Sequence, residues 1–191
     1  MKKGNRTSVS KIIIEVISII VAVIMGFIVN EWRENHNNKA KAESALHRIT
    51  IEIEQNRSQV KEKQEYYNNI ISVLDSLKLI DGKDEIKHDS IPGWKGINPP
   101  FLSSSSFKTA STIGVFSFID FETADKISQI YLIQDVLHQL GTMTLNSIIS
   151  GDLKNYKSAH LVFTLYTEMI EILMRSYNHV LKTNLKSYTN K

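Results

Sequence analysis

The 191-residue sequence has no cysteine and only three prolines. The absence of cysteine excludes a disulfide-stabilised fold and thiolate chemistry, and it leaves the redox compartment open. The three prolines, Pro92, Pro99 and Pro100, lie together in a stretch that also contains Gly82, Gly93 and Gly96. Because all three prolines are confined to this stretch, the sequence predicts one long irregular connection, residues 81–102, in an otherwise helical chain.

Signatures of catalysis and metal binding are also absent. The six histidines form no H-x-x-x-H pair, and the chain has no glycine-rich phosphate loop, no H-E-x-x-H and no nucleophile elbow. Ser105 and Lys108 spell S-x-x-K, but the companion S-D-N and K-T-G motifs are missing. We therefore expect no enzyme activity, no catalytic residue, no metal and no cofactor.

The charge balance is mild. The net charge is +3, and Lys and Arg alternate with Glu and Asp along the predicted helices. A nucleic-acid-binding surface would need basic residues clustered on one face. The sequence therefore predicts no nucleic-acid partner.

One segment, residues 12–29, is almost entirely apolar, with Glu15 as its single charged residue. Its 18 residues are about enough to cross a hydrocarbon core roughly 30 Å thick. The apolar core of a signal peptide is shorter, roughly 7–15 residues, and is followed by small residues, which this segment lacks. We expect an uncleaved transmembrane helix in contact with lipid, with Asn30, Trp32 and Arg33 as anchors at its far interface.

The basic residues around this segment predict its orientation. Lys2, Lys3, Arg6 and Lys11 are concentrated before it, whereas the basic residues after it are more widely spaced. The positive-inside rule then places a basic tail, residues 1–11, in the cytoplasm and the carboxyl-terminal domain outside. In a two-membrane bacterium this is a single-pass inner-membrane protein with a periplasmic domain.

Glu15 in an apolar helix has two explanations. It lies one turn inside the entrance, where its carboxylate can reach the headgroups or Lys11. Alternatively, Glu15 and Ser18 face another membrane helix, because intramembrane ionisable groups usually face protein. Gly26 then provides space for that helix to pack.

Two sets of residues resemble an uncharacterised bacterial family of single-span membrane proteins. Glu15 at the start of the span and Asn30, Trp32 and Glu34 at its end match the first signature of that family. The second signature is similar to Phe107-Lys108-Thr109-Ala110, Gly114-Val115-Phe116, Ile119-Asp120, Glu122-Thr123, Ile130-Tyr131 and Gln134. The resemblance covers roughly a third of the chain, and it implies a membrane-anchored helical domain of unknown function.

Beyond Trp32 no helix breaker occurs before Gly82, so the membrane helix is predicted to continue, first as a polar stalk, residues 30–45. This predicted first helix, α1, extends from residue 12 to about residue 79. Within the following domain, residues 46–191, one stripe on it recurs in steps of three and four, and we call it the α1 seam. Its members are Leu46, Ile49, Ile53, Asn56, Val60, Lys63, Tyr67, Ile70, Leu74 and Leu77. It fits either the chain's own later helices or the same helix of a second copy, with Asn56 fixing the register of a coiled coil.

The rest of the chain predicts further helices. A serine run, residues 103–106, is expected to cap a short helix that Gly114 ends, and Asp120 to cap the next, which runs from Phe121 to about Ser150. Its apolar positions are Ile127, Ile130, Ile133, Leu137 and Leu140. A last helix, roughly residues 153–188, carries a stripe at Val162, Leu165, Met169, Leu173, Ser176 and Val180. The predicted fold is all-α, an antiparallel bundle of three to four helices.

Two functions fit this architecture. The first is an interaction or scaffold protein of the bacterial envelope, which binds another membrane or envelope protein or a second copy of itself. In this case Trp94, Ile97 and Phe101 of the long connection either contact the partner or pack on the bundle. The second is a sensor that binds a small ligand in the bundle and signals through its span. A sensor needs an internal polar pocket, whereas an interaction protein needs a filled core and an exposed apolar patch.

Overall fold

The computed structural model describes residues 6–81, 91–150 and 155–183. The helices are α1 (Arg6–Asp81), α2 (Ser105–Thr112), a 3-10 turn (Val115–Phe118), α3 (Phe121–Ser150) and α4 (Tyr156–Thr183). The predicted all-α fold is confirmed across these ranges. The first residues of the basic tail, most of the first half of the 81–102 connection and both predicted ends of the last helix lie outside them.

The chain divides into two compact units, Met1–Ala42 and Glu43–Lys191. The first unit consists of the amino-terminal part of α1. An 18-residue window there has a mean hydropathy of 3.0, and none of it is buried. Among the described residues α1 is the one helix long and apolar enough to cross a membrane.

In the second unit, the α1 seam is the buried face of α1. Its apolar members from Leu46 to Leu74 and Asn56 are all buried, and only Lys63 and Leu77 are half-buried. The ring of Tyr67 contacts Phe163 at 5.5 Å and Tyr166 at 5.2 Å between centroids. Helix α4 of the same chain therefore covers the seam, as the first of the two predicted arrangements requires.

Two sets of contacts give the directions of the long helices. Along α1, Tyr67 meets Tyr166 and Asp75 meets Tyr156, so α4 runs antiparallel to α1. Along α3, Gln134 contacts Tyr177, whereas Gly141 lies beside Tyr166, so α4 also runs antiparallel to α3. Helices α1 and α3 consequently run in the same direction, and α4 runs in the opposite direction to both.

The connection from Ile91 to Ser104 packs along the side of the bundle. Tyr66 Oη donates to Gly96 O at 2.6 Å, and Tyr67 Oη donates to Asn98 O at 3.2 Å. Further along, Pro99 lies against Gly141 of α3. The connection is long because it descends α1 from Tyr67 to Asn56, about 16 Å at 1.5 Å per helical residue.

Local signals placed the ends of the short helices. Gly114 has φ of +71°, a left-handed conformation that ends α2 as predicted. Asp120 Oδ1 accepts from Thr123 N at 2.9 Å, which confirms its predicted role as a cap. The predicted serine cap of α2 is limited to one long bond, from Ser105 N to Ser103 Oγ at 3.5 Å, and the N-cap residue Ser104 makes no side-chain cap bond. Glu52 of α1 accepts from the α2 amides instead.

The buried stripe of α4 includes Leu173 and Val180 as predicted, but elsewhere it is displaced by one residue from the predicted one. Ala159, Phe163, Tyr166, Ile170, Leu173, Tyr177 and Val180 are buried, whereas Val162, Met169 and Ser176 are half-buried and Leu165 is exposed. In α3, Ile127, Ile130 and Leu137 are buried as predicted, and Ile133 and Leu140 are half-buried. The aromatic rings decide the orientation of α4, because Phe163, Tyr166 and Tyr177 bury the largest apolar areas.

Candidate functional site

Among the described residues of the second unit, the carboxylate of Glu52 stands out because it accepts five hydrogen bonds, and Glu52 is only 4% exposed. Its donors come from the start of α2 and from α3. They are Tyr131 Oη at 2.6 Å, Ser103 Oγ at 2.8 Å, Ser106 N at 2.9 Å, Ser105 Oγ at 3.0 Å and Phe107 N at 3.4 Å. The carboxylate therefore joins three helices at one point.

The hydrogen bonds decide the protonation state of this group. Burial raises the pKa of Glu52, but the bonds from Tyr131, Ser106, Ser103 and Ser105 lower it, so that the net pKa lies below its ordinary value. Burial, together with the bond to Glu52 and its charge, raises the pKa of Tyr131, which keeps its phenol protonated as a donor. With its lone pairs occupied and its pKa lowered, Glu52 is a poor general base, and its role is to hold α2 in place.

Asn56, one turn further along α1, fixes the end of the connection. Its Nδ2 donates to Ser103 O at 2.7 Å and its Oδ1 accepts from Ser103 N at 2.9 Å. Sequence reasoning placed Asn56 on the seam but missed Glu52. The available signal was spacing, because Glu52 lies three residues after Ile49 and four before Asn56, within the buried face.

A small cavity lies beside this cluster, between the connection and α3. Its volume is about 170 Å³, and Pro100, Phe101, Leu102, Ser104, Lys108, Gln134, Asp135, Leu137 and His138 line it. Gln134 Nε2 donates to Tyr177 Oη at 2.9 Å, but its Oε1 is buried with no hydrogen-bond partner among the described residues. The cavity is smaller than the roughly 300–1,000 Å³ of typical ligand pockets.

A second polar cluster joins α1 to the start of α4. The Oδ1 of Asp75 accepts from Tyr156 Oη and lies 3.3 Å from His160 Nε2, and Nδ1 of the same imidazole is 3.5 Å from Thr164 Oγ1. The order resembles a hydroxyl–imidazole–carboxylate triad. An activated hydroxyl, however, needs its base at about 2.6–3.2 Å. We interpret the cluster as a polar clamp between the two helices.

The predicted membrane-facing residues lie on the surface of the first unit. Glu15, Ser18 and Gly26, and the anchors Asn30, Trp32 and Arg33, are all exposed. Ser18 Oγ donates to Ile14 O at 2.8 Å, which satisfies the hydroxyl within its own helix. A Cβ on Gly26 would meet no atom within 4 Å, so this position has room for a neighbouring helix.

The three predicted contact residues of the connection have different environments. Ile97 is buried, and the half-buried Trp94 packs edge-to-face on Phe163 with ring centroids 5.5 Å apart. Phe101 is 85% exposed, at the edge of the cavity. Only Phe101 of the three presents most of its side chain to solvent.

The largest feature that the sequence analysis missed is the outward face of α3. Its residues recur in steps of four and three, and we call this row the α3 outer seam. All seven are exposed: Asp125, Gln129, Leu132, Val136, Gln139, Met143 and Asn146. Leu132 is 65% exposed and Met143 is 66% exposed. In the whole stretch of residues 127–150, Asp135 is the one formally charged side chain.

The outward faces of the neighbouring helices differ from that of α3. Helix α1 presents Glu54, Arg57, Lys61, Glu62 and Glu65 to solvent. The equivalent row on α4, which we call the α4 outer seam, is Leu161, Leu165, Glu168, Ile172, Arg175 and His179. It contains apolar residues, but Glu168 and Arg175 interrupt them. Among the described helix faces of the second unit, the α3 outer seam is thus the one that is uncharged along most of its length.

Comparison with known proteins finds no family model that matches the chain and no match among the curated proteins or the solved structures.

Proposed function

We infer that this protein is a membrane-anchored helical bundle that binds another protein through the α3 outer seam. The observation that carries the proposal is the exposure of Leu132, Val136 and Met143. They lie on the helix face opposite the core, which normally carries charged and polar residues. The bundle core behind this face is filled by Tyr67, Phe163, Tyr166 and Tyr177. This combination is the one expected of an interaction protein.

The spacing of the α3 outer seam indicates the kind of partner. Steps of four and three keep a row of side chains on one side of a helix, which is the geometry that a second helix lying alongside requires. The three apolar residues supply area, and Gln129, Gln139 and Asn146 supply hydrogen-bonding groups. We therefore propose a helix of the partner as the occupant.

The apolar part of α1 supports the membrane anchor. Ile12 is 57% exposed, Val29 is 60% exposed, and the large apolar side chains between them are exposed as well. Together they form a larger apolar surface than soluble monomers present to water. Lipid is the solvent that stabilises such a helix. With the basic tail inside, the second unit lies on the outer side of a bacterial inner membrane.

The proposal is tested by purifying the full-length protein from membranes in mild detergent and identifying the proteins that accompany it. Leu132→Glu places a charge in the α3 outer seam, whereas Leu161→Glu is a matched control on α4, since Leu161 is 58% exposed. We expect a partner that is lost with Leu132→Glu and kept with Leu161→Glu. Equal retention, or equal loss, by both variants contradicts a role of the α3 outer seam.

The anchor is tested separately. Carbonate extraction of membranes should leave the wild-type chain in the pellet, and a reporter fused after Lys191 should be active only outside the cytoplasm. A chain released by carbonate contradicts the anchor. A reporter active only in the cytoplasm contradicts the orientation.

A second candidate function, small-ligand binding, is favoured by the cavity beside Gln134. Gln134 lines this cavity and its Oε1 is an acceptor without a partner among the described residues, so a ligand that reaches it would carry a hydrogen-bond donor. If this function holds, small compounds that raise the unfolding temperature of the wild type should lose their effect in Gln134→Leu. An equal effect on both proteins would contradict binding at this cavity.

A further inference from the structure

We propose that the helix that occupies the α3 outer seam is α3 of a second copy of this chain, aligned in parallel, so that the protein is a membrane-tethered homodimer. The inference rests on the proposed function and names the partner of the same surface. Two observations carry it, the self-complementary chemistry of the seam and the contrast with α4, and the proposed tether favours it.

The polar members of the α3 outer seam are those that can pair with themselves. In a parallel two-fold pair each seam residue faces the same residue of the other copy. A carboxylate or an ammonium in such a position repels its own image, whereas an amide both donates and accepts. Gln129, Gln139 and Asn146 are amides, and Leu132, Val136 and Met143 are apolar.

Asp125, the one charged member, is at the end of the row. Gln129 Nε2 donates to Asp125 Oδ2 at 2.8 Å, which partly satisfies the carboxylate within its own helix. The charge of Asp125 is thus outside the central Leu132–Val136–Gln139–Met143 contact. A partner of different sequence would not require a seam in which each residue can pair with an identical residue.

The α4 outer seam provides an internal comparison. A parallel self-pair of α4 would place Glu168 against Glu168 and Arg175 against Arg175 of the second copy, and both contacts are repulsive. The two helices thus share the spacing of a helix-pairing surface, but only α3 has the charge pattern that permits parallel self-pairing.

The proposed membrane tether favours self-pairing, because confinement to one membrane raises the effective concentration of each copy for the other. A contact centred on three apolar residues, which is small for a stable interface between free proteins, is then sufficient.

Single-cysteine cross-linking tests the pairing directly, because the chain has no native cysteine. The experiment uses full-length protein in native membranes and a mild oxidant, with Gln129→Cys, Gln139→Cys and, as the control on α4, Glu168→Cys. Glu168 is exposed and occupies the corresponding position of the α4 outer seam. We expect disulfide-linked dimers for both α3 variants and at most a tenth as much for the control.

Three outcomes overturn the inference. If neither α3 variant forms dimers, the parallel pair through α3 does not exist. If the α4 control forms dimers equally, the cross-linking is not specific to α3. If only one of Gln129→Cys and Gln139→Cys forms dimers, the helices are not parallel, since an antiparallel axis brings only one position against itself. Adding Leu132→Glu to Gln139→Cys should abolish the dimer, and adding Leu161→Glu should leave it unchanged.

The same membranes separate this failure from failure of the proposed function. If cross-linking fails while another protein still co-purifies in a Leu132-dependent manner, the α3 outer seam is a docking surface and only the identity of the partner is wrong. If carbonate releases the chain, the tether is wrong. In that case the cross-linking result still decides whether two copies pair.

Discussion

The Tyr131 hydroxyl on α3 donates to the Glu52 carboxylate on α1 at 2.6 Å, across 79 residues of sequence. Phe107 of α2 stacks on the same tyrosine, with ring centroids 4.2 Å apart and an interplanar angle of 11°. Glu52 and Phe107 thus hold Tyr131 from two sides. The orientation of α3 about its own axis, and with it the outward position of Leu132, depends on this contact.

The lowered pKa of Glu52 makes the stability of the bundle sensitive to acid. A carboxyl with a lower pKa in the folded than in the unfolded state stabilises the fold fully above its ordinary pKa of 4.5. This contribution is lost as the pH falls through the lowered value, when the folded protein must take up the proton. We expect the wild type to lose more stability than Glu52→Gln between about pH 5 and pH 3. Denaturant unfolding at a series of pH values measures the difference, and parallel pH profiles of the two proteins would contradict it.

Asn56 should contribute to the free energy of unfolding but should not determine the oligomeric state. Asn56→Ala removes both partners of the Ser103 backbone and should lower the free energy of unfolding by about 2–3 kcal/mol. Asn68→Ala, at an exposed position of the same helix, should change it by less than about 0.5 kcal/mol. If Asn56 instead fixed the register of a coiled coil, the Ala variant would change the oligomeric state measured by light scattering, with little loss of stability.

The sequence predicted those features that depend on neighbouring residues. The α1 seam follows from steps of three and four, and the end of α2 at Gly114 and the start of α3 at Asp120 follow from turn and cap chemistry. Each of these signals is contained within one helix or one turn. They can therefore be predicted from helical periodicity and from turn and cap residues alone.

The features that the sequence did not predict depend on distant partners. The path of the connection is set by Asn56, Tyr66 and Tyr67, roughly 30–50 residues earlier in the chain. The stripe of α4 was misplaced because two adjacent faces, one containing Val162 and Met169 and the other Phe163 and Ile170, are both apolar at helical spacing. The outer seam of α3 could be recognised only after the buried face of that helix was known.

Gly141 is a position at which the protein can be stabilised. It lies inside α3, and a Cβ there would meet Pro99 and Tyr166 Oη at 3.5 Å, ordinary van der Waals contact. Gly141→Ala should therefore gain helix propensity without a clash and raise the free energy of unfolding by about 0.5–1 kcal/mol. Gly114→Ala is the control, because φ of +71° at that position should make it destabilising by about 1 kcal/mol. A destabilising Gly141→Ala would mean that the connection cannot accommodate the extra methyl group.

Trp94 and Phe101 should differ in what they contribute, although both are aromatic residues of the same connection. Trp94 is half-buried against Phe163, so Trp94→Ala should lower the free energy of unfolding by about 2–3 kcal/mol, less than for a fully buried tryptophan. Phe101 is 85% exposed, and Phe101→Ala should change it by less than about 0.5 kcal/mol. If Phe101 contacts a partner, its variant should keep wild-type stability and yet reduce co-purification of that partner. A large loss of stability in Phe101→Ala, or none in Trp94→Ala, would show that the connection is held to the bundle in a different way.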